Sequence, residues 1–269
     1  MSFRLALKGM AADVFYKTGA FELLCRRIAK TKAFVLMYHR VLDDPASETV
    51  PVQPGMYVKA STFRQHLAFL KSRFRVLSLS ELVARIGTGK SIDSCCAITF
   101  DDGWRDNYTQ AYPLLREFSL PVTIFLATGF IGTGCIFWPD ESAFYLQQPE
   151  VIRAGRESAL LRPFLDKLPA GTVDAKWLEQ AIAVLKALPP WKREGIMGCL
   201  RELSEKNPPG GLLMGWTEAK EMQASGLVDF GSHTANHFIL DQVSQEQAEE
   251  EILQSKLDLE EHLGITPEL

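Results

Sequence analysis

Ala97-Ile98-Thr99-Phe100-Asp101-Asp102-Gly103 is the stretch that decides the fold of this chain. An apolar strand ends abruptly in two adjacent carboxylates and a glycine. Side-by-side aspartates repel, so a fold that holds them at a strand mouth compensates them with a cation or uses them for proton transfer. A partner lies far downstream, where Leu227-Val228-Asp229-Phe230-Gly231-Ser232 runs into His233-Thr234-Ala235-Asn236-His237. One carboxylate and two imidazoles make a hydrolytic metal site, and the second carboxylate remains as a base.

Working outward, Phe34 to His39 reads as a buried first strand, followed by a polar loop with Asp43, Asp44, Pro45, Pro51 and Pro54. Ser61 or Thr62 caps a helix with the stripe Phe63, Leu67 and Leu70. Arg75 to Leu77 is a short strand, and Ser80 caps a helix carrying Leu82, Val83 and Ile86. Asp106 to Phe118 is helical with a bend near Pro113. Val122 to Leu126 is another all-apolar strand. Apolar strands alternating with helices predict a parallel sheet with crossover helices. Chemistry at strand C-terminal ends suits an α/β barrel. An open doubly wound sheet fits less well, since no Gly-rich phosphate loop follows any strand.

Residues 132–215 break this rhythm. They hold helical stretches (Trp177 to Leu188, Trp191 to Lys206) and no convincing strand, so they are expected to form a helical insertion over the barrel mouth. Thr217 to Ser225 is a short helix before the sheet pattern resumes. The last helix has a Ser244/Gln247 capping box, an apolar stripe of Ala248, Ile252, Leu259 and Leu263, and Gly264 as its stop. Ile265-Thr266-Pro267 reads as the entry to a further strand.

His233 and His237 are four apart, so one turn or a tight loop can aim both at a single ion. Asp102 is the expected third ligand, which leaves room for water, with Asp101 beside it as the general base. Gly103 lets the backbone turn sharply enough for successive side chains to take different roles. A metalloprotease helix is excluded, because Thr234 stands where that class needs a glutamate base. Trp104 and Trp138 are candidate sugar-stacking residues, with Phe137 nearby, although core or lid packing suits them equally. Asp140 and Glu141 either contact sugar hydroxyls or start a helix.

Thr99 to Gly103, taken with His233 to His237, closely resembles the first two motifs of the polysaccharide deacetylases, the NodB-homology group of carbohydrate esterase family 4. The resemblance spans most of residues 33–265 outside the insertion. It implies a distorted (β/α) barrel and metal-dependent removal of an acetyl group from a sugar, N-acetyl more than O-acetyl, in a polysaccharide or its precursor. By position it makes Asp101 the base and Asp102, His233 and His237 the ligands of a divalent ion, zinc first, with cobalt or nickel as alternatives. The family's third, Pro-Tyr motif would begin about where the chain stops at Leu269, so the barrel is expected to lack its last strands. The late Leu-x-x-His motif, which supplies a general acid in many members, is also absent. One branch instead opens with a Leu-x-Tyr-His strand, and Leu36-Met37-Tyr38-His39 resembles it, which implies His39 as the acid. The alternative is a catalytically impaired or truncated glycan- or metal-binding protein of the same fold.

Composition narrows the partners. Of 269 residues, 46% are hydrophobic, enough for a sizeable core, and the net charge of −4 argues against nucleic acid. The five cysteines form no CxxC pair, so reduced thiols and a cytoplasmic setting are expected. Segment 1–32 mixes Arg4, Lys8, Lys17, Arg26, Arg27 and Lys30 with apolar residues but lacks the continuous apolar core of a secretory signal. It reads as an amphipathic helix packed on the domain's flank, with peripheral contact to the inner membrane face as the alternative. The remaining residues, 33–269, are expected to be the barrel domain.

Overall fold

The computed structural model describes residues 18, 32–44, 48, 50, 52 and 55–267. The expected amphipathic segment 1–32 lies outside them, apart from residues 18 and 32. Strand β1 (Phe34–Tyr38) is followed by β2 (Arg40–Leu42) and β3 (Tyr57–Lys59), which pair with each other in parallel. Helix α1 (Ala60–Arg73), β4 (Arg75–Leu77), α2 (Leu79–Gly87) and β5 (Cys95–Phe100) come next. After β5 come α3 (Tyr112–Phe118) and β6 (Val122–Leu126). The main sheet is wholly parallel. It runs β1-β5-β6-β7, where β7 is Val228–Ser232, and β4 also pairs with the start of β5. The fold is α/β, of the distorted-barrel type, with the strand C-terminal ends gathered at one mouth.

All six residues of β5 are buried, as an apolar run covered on both sides must be. Its neighbours supply one core. Phe63 and Leu67 of α1 meet Ile98 and Phe100, with Ile124, Phe230 and Leu259 completing the cluster. Tyr38, Phe63 and Phe100 pack as an aromatic trio with centroids 5.2 to 5.6 Å apart, inside the range for favourable ring contacts. Burying such side chains contributes roughly 1.5–3 kcal/mol each.

Several local expectations are corrected. Strand β1 is not buried on both faces: Val35 is 53% and Met37 61% exposed, so the strand alternates. Helix α1 starts after Lys59 without a side-chain cap, and α2 is capped by Ser78, whose hydroxyl accepts from the Glu81 amide. Ser80 lies inside α2 and bonds Asp229, while Val83 and Ile86 face outward. The bend at Pro113 is a π-helical turn over Asn107–Ala111 that leads into α3. A proline without an N–H accounts for the interrupted ladder. Residues 264–267 form no strand, though Ile265 packs on the core.

Residues 132–215 hold five helices: α4 (Trp138–Leu146), α5 (Pro149–Gly155), α6 (Arg162–Leu165), α7 (Ala175–Lys186) and α8 (Pro190–Leu203). They bury a separate core around Leu146, Leu161, Leu185, Met197 and Leu200. Helix α9 (Trp216–Ala224) leads back into β7, and α10 (Gln245–Leu263) follows with the expected Ser244/Gln247 capping box. Its buried stripe is Glu251, Ser255, Leu259 and Leu263, and Ile252 is half exposed. No described helix is long and apolar enough to cross a membrane.

Candidate active site

The site begins where β5 ends. The Asp101 amide donates to the Tyr38 carbonyl at 3.0 Å, which ties the turn to β1. Asp102 then takes φ +78° and Gly103 φ +82°. A side chain at Gly103 would bring its Cβ within 2.8 Å of Ile131 and Leu126, so the position needs glycine for space as well as for conformation. The left-handed Asp102 swings its side chain away from that of Asp101. The two neighbouring carboxylates thereby meet different partners, His39 for Asp101 and the His233–His237 pair for Asp102.

The second half comes from the loop after β7. The His233 amide donates to the Leu126 carbonyl, and the amides of Thr128 and Gly129 donate to the carbonyls of Thr234 and Ala235. Thr234 and His237 are both left-handed, at φ +64° and +55°. Such strain persists only where the surroundings over-determine the backbone. Buried Glu251 of α10 does so here: its carboxylate accepts from the amide of Asn236 at 2.6 Å and from its side chain at 2.7 Å. Glu251→Ala is expected to cost about 1.5–3 kcal/mol, because it removes two hydrogen bonds to a charged acceptor. It should also weaken metal binding roughly 10- to 100-fold. Denaturant unfolding and a zinc titration read the two effects; unchanged zinc affinity would show that the clamp does not set the ligands.

The two imidazoles converge on Asp102. Its Oδ1 stands 3.3 Å from His233 Nε2 and 3.2 Å from His237 Nε2. Yet Oδ1, buried, has no hydrogen bond of acceptable geometry. Three ligand atoms within 4.8 Å of one another, one of them an orphaned carboxylate oxygen, fit a divalent cation. Asp102 Oδ2 is fixed separately by the indole N–H of Trp104 at 2.8 Å. Burial pushes the Asp102 carboxyl up, but His233, His237 and Trp104 outweigh it and hold it well below the usual range. Burial lowers His233 and Asp102 raises it, with a net rise.

Asp101 lines the cleft without joining this ligand group. Its Oδ2 is 3.8 Å from His39 Nε2, and both side chains are mostly buried. Burial raises the Asp101 carboxyl against the pull of the nearby histidines. The His39 carbonyl accepts from Asn107 at 2.8 Å, which anchors that end of β1. His39, Asp101, Asp102, His233 and His237 thus share one cleft of about 370 Å³.

The two tryptophans separate. Trp104 is 2% exposed and lies beneath the site, with the Arg40 guanidinium 4.4 Å from its ring centroid. Its indole N–H is taken up by Asp102, though the ring still borders the cleft. Trp138 also lines the cleft, backed by Arg193 at 4.7 Å. Phe137 packs against His237 at 4.5 Å and closes the apolar shell around the ligands. Sequence reasoning missed Arg40, which bonds Asp106 and Glu48, and Asp106, which also accepts from the Val41 amide. It also missed Glu251 and the Ile182 and Lys186 side of the cleft. A charged residue on the inner stripe of α10 was the readable signal for Glu251.

The sequence profile described as polysaccharide deacetylase matches residues 88–269, more than half of the chain. The poly-beta-1,6-N-acetyl-D-glucosamine N-deacetylase of Staphylococcus epidermidis is 30% identical over 112 residues, 39% of this chain and 39% of that protein. The chain therefore spans well under half the length of the curated relatives it matches. Among solved structures, the Streptococcus pyogenes deacetylase PplD in complex with acetate superposes with TM-score 0.52 at 20% identity, over 88% of this chain and 72% of that one. IcaB from Ammonifex degensii gives TM-score 0.52 at 18% identity, with the same coverage of both chains. At such identities the structural likeness speaks for the fold.

Proposed function

This chain belongs to the polysaccharide deacetylase family, and we propose that it is a metal-dependent hydrolase that removes N-acetyl groups from an acetylated sugar. One observation carries the reading: Asp102, His233 and His237 converge as ligands while Asp101 and His39 face the same cleft as a carboxylate–imidazole pair. Asp102, His233 and His237 would hold a divalent ion, zinc first, which would supply Lewis acidity for the hydrolysis. Asp101 takes the water's proton as the new C–O bond forms. His39, as imidazolium, gives a proton to the leaving nitrogen as the C–N bond breaks. Trp104 holds the Asp102 carboxylate in register, and the Phe137 shell limits water around the ligands. The products are acetate and a free amine.

The direct test is acetate release from an N-acetylglucosamine oligomer by the zinc- or cobalt-loaded protein. Metal binding without acetate release would favour a glycan-binding role and overturn the hydrolase. His39→Asn is expected to lower kcat about 10²-fold or more for the oligomer, with metal content intact. The fall should be smaller for an aryl acetate, whose leaving group departs without a proton. Equal turnover of the oligomer by the variant would remove His39 as the acid.

A further inference from the structure

Two carboxylates sit side by side in the first turn of α4, and the fold treats them differently. Glu141 is engaged by Arg201 of α8 through two bonds of 2.7 and 2.8 Å. Asp140 faces the cleft alongside Asp101, Asp102 and Trp138, and no side chain among the described residues hydrogen-bonds to its carboxylate. Arg40 is the cation within electrostatic reach of Asp140, but its guanidinium is committed to Asp106 and Glu48. Lys186, at the end of α7, lines the same cleft without a bond to Asp140.

Among the described residues the Asp140 carboxylate is bonded only through its own backbone amide, which leaves acceptor capacity turned to the cleft that is costly unless something else bonds to it. Helix α4 does not require this arrangement. An acidic side chain favours a helix start from a fully solvated position as well, and Pro139 already presets that turn. The occupant must therefore bring donors, and it must do so beside the metal ligands. An acetamido sugar has such donors, because its ring hydroxyls flank the group to be cleaved.

We propose that Asp140 is a substrate-contacting residue that accepts hydrogen bonds from sugar hydroxyls next to the acetamido group, so that the helical insertion selects a pyranose over a bare acyl group. This rests on the deacetylase reading above and deepens it. The barrel supplies the chemistry of acetyl removal, and α4 supplies the test for what carries the acetyl. A site built to bond a hydroxyl discriminates strongly against a ligand that lacks one, because its own acceptor is then left bare.

The experiment compares the unaltered protein with Asp140→Ala and Asp140→Asn on an N-acetylglucosamine oligomer and on 4-nitrophenyl acetate, with zinc content measured in parallel. For Asp140→Ala, kcat/KM on the oligomer is expected to fall about 10- to 100-fold, mainly through KM. This fall should be at least about tenfold larger than the fall on the aryl ester. Asp140→Asn, which keeps one acceptor oxygen, should recover part of the loss. Equal falls on both substrates, or an unaltered KM for the oligomer, would overturn the proposal. If the unaltered protein released acetate from neither substrate, the deacetylase reading would fall by itself. Calorimetry of oligomer binding would then decide on Asp140: weaker binding by Asp140→Ala supports the contact, and equal binding refutes it.

Discussion

Asp101→Asn is expected to lower acetate release by about 10²–10⁴-fold while the protein stays folded and keeps its metal. The substitution is isosteric, and the amide bond that ties residue 101 to Tyr38 belongs to the backbone, so the turn survives it. Asn cannot take a proton from water, which is the task assigned to this position. Asp101 is also outside the ligand group, so metal content should not change. The pH profile gives a second readout. Burial raises the Asp101 carboxyl, so the base is lost by protonation at a higher pH than an ordinary carboxylate. Activity should therefore decline on the acid side from above about pH 4, as pH falls through the raised value. Turnover that persists in Asp101→Asn would remove this residue as the base.

Asp102→Asn is expected to abolish acetate release by a different route, through loss of the ion. An amide keeps an acceptor for Trp104 but withdraws the charge that unites His233 and His237, and zinc affinity should drop at least about 100-fold. The metal-free proteins carry a pH signature of the same cluster. Asp102 is held below its unfolded value, so its contribution to stability is present above about pH 4 and is lost as pH falls through its folded value. His233 is raised, so its contribution is full below about pH 6.5 and is lost as pH rises through its folded value. The pair therefore stabilises the metal-free protein most between those limits. Above the raised His233 value the imidazole is neutral and free to ligate, so zinc binding should release protons below it. Calorimetry in buffers of different ionisation enthalpy measures that release. Proton uptake, or zinc affinity that does not rise with pH, would sink the ligand assignment.

Much of this was readable locally. The β5 run with its Asp-Asp-Gly turn, the His-x-x-x-His loop after an apolar strand and the Ser244/Gln247 box each depend on residues close in sequence. What escaped was set from a distance. Counting apolar residues put Ile252 on the inner face of α10, but the helix is turned by about one residue, roughly 100°, so that Glu251 faces the Asn236 loop. Nothing in the sequence shows that the Trp104 N–H bonds the Asp102 carboxylate two residues before it, because that depends on the left-handed turn between them. Ser78 and Ser80 are equally good caps as letters; the start of α2 after β4 decides between them. Asp140 and Glu141 were indistinguishable until Arg201 was seen to reach only one of them.

The two hydrophobic cores have a consequence for how this protein could be rebuilt. Asp101, Asp102, His233 and His237 stand on the barrel core, whereas Trp138, Asp140, Ile182 and Lys186 stand on helices with a core of their own. Side chains inside one core constrain each other through close packing, and two separate cores do not share that constraint. Replacing the helices between Trp138 and Leu203 with those of a relative would thus exchange the face on which the proposed sugar contacts stand while leaving the proposed metal site to the strands. In such chimaeras, preference and turnover would be inherited from different parents.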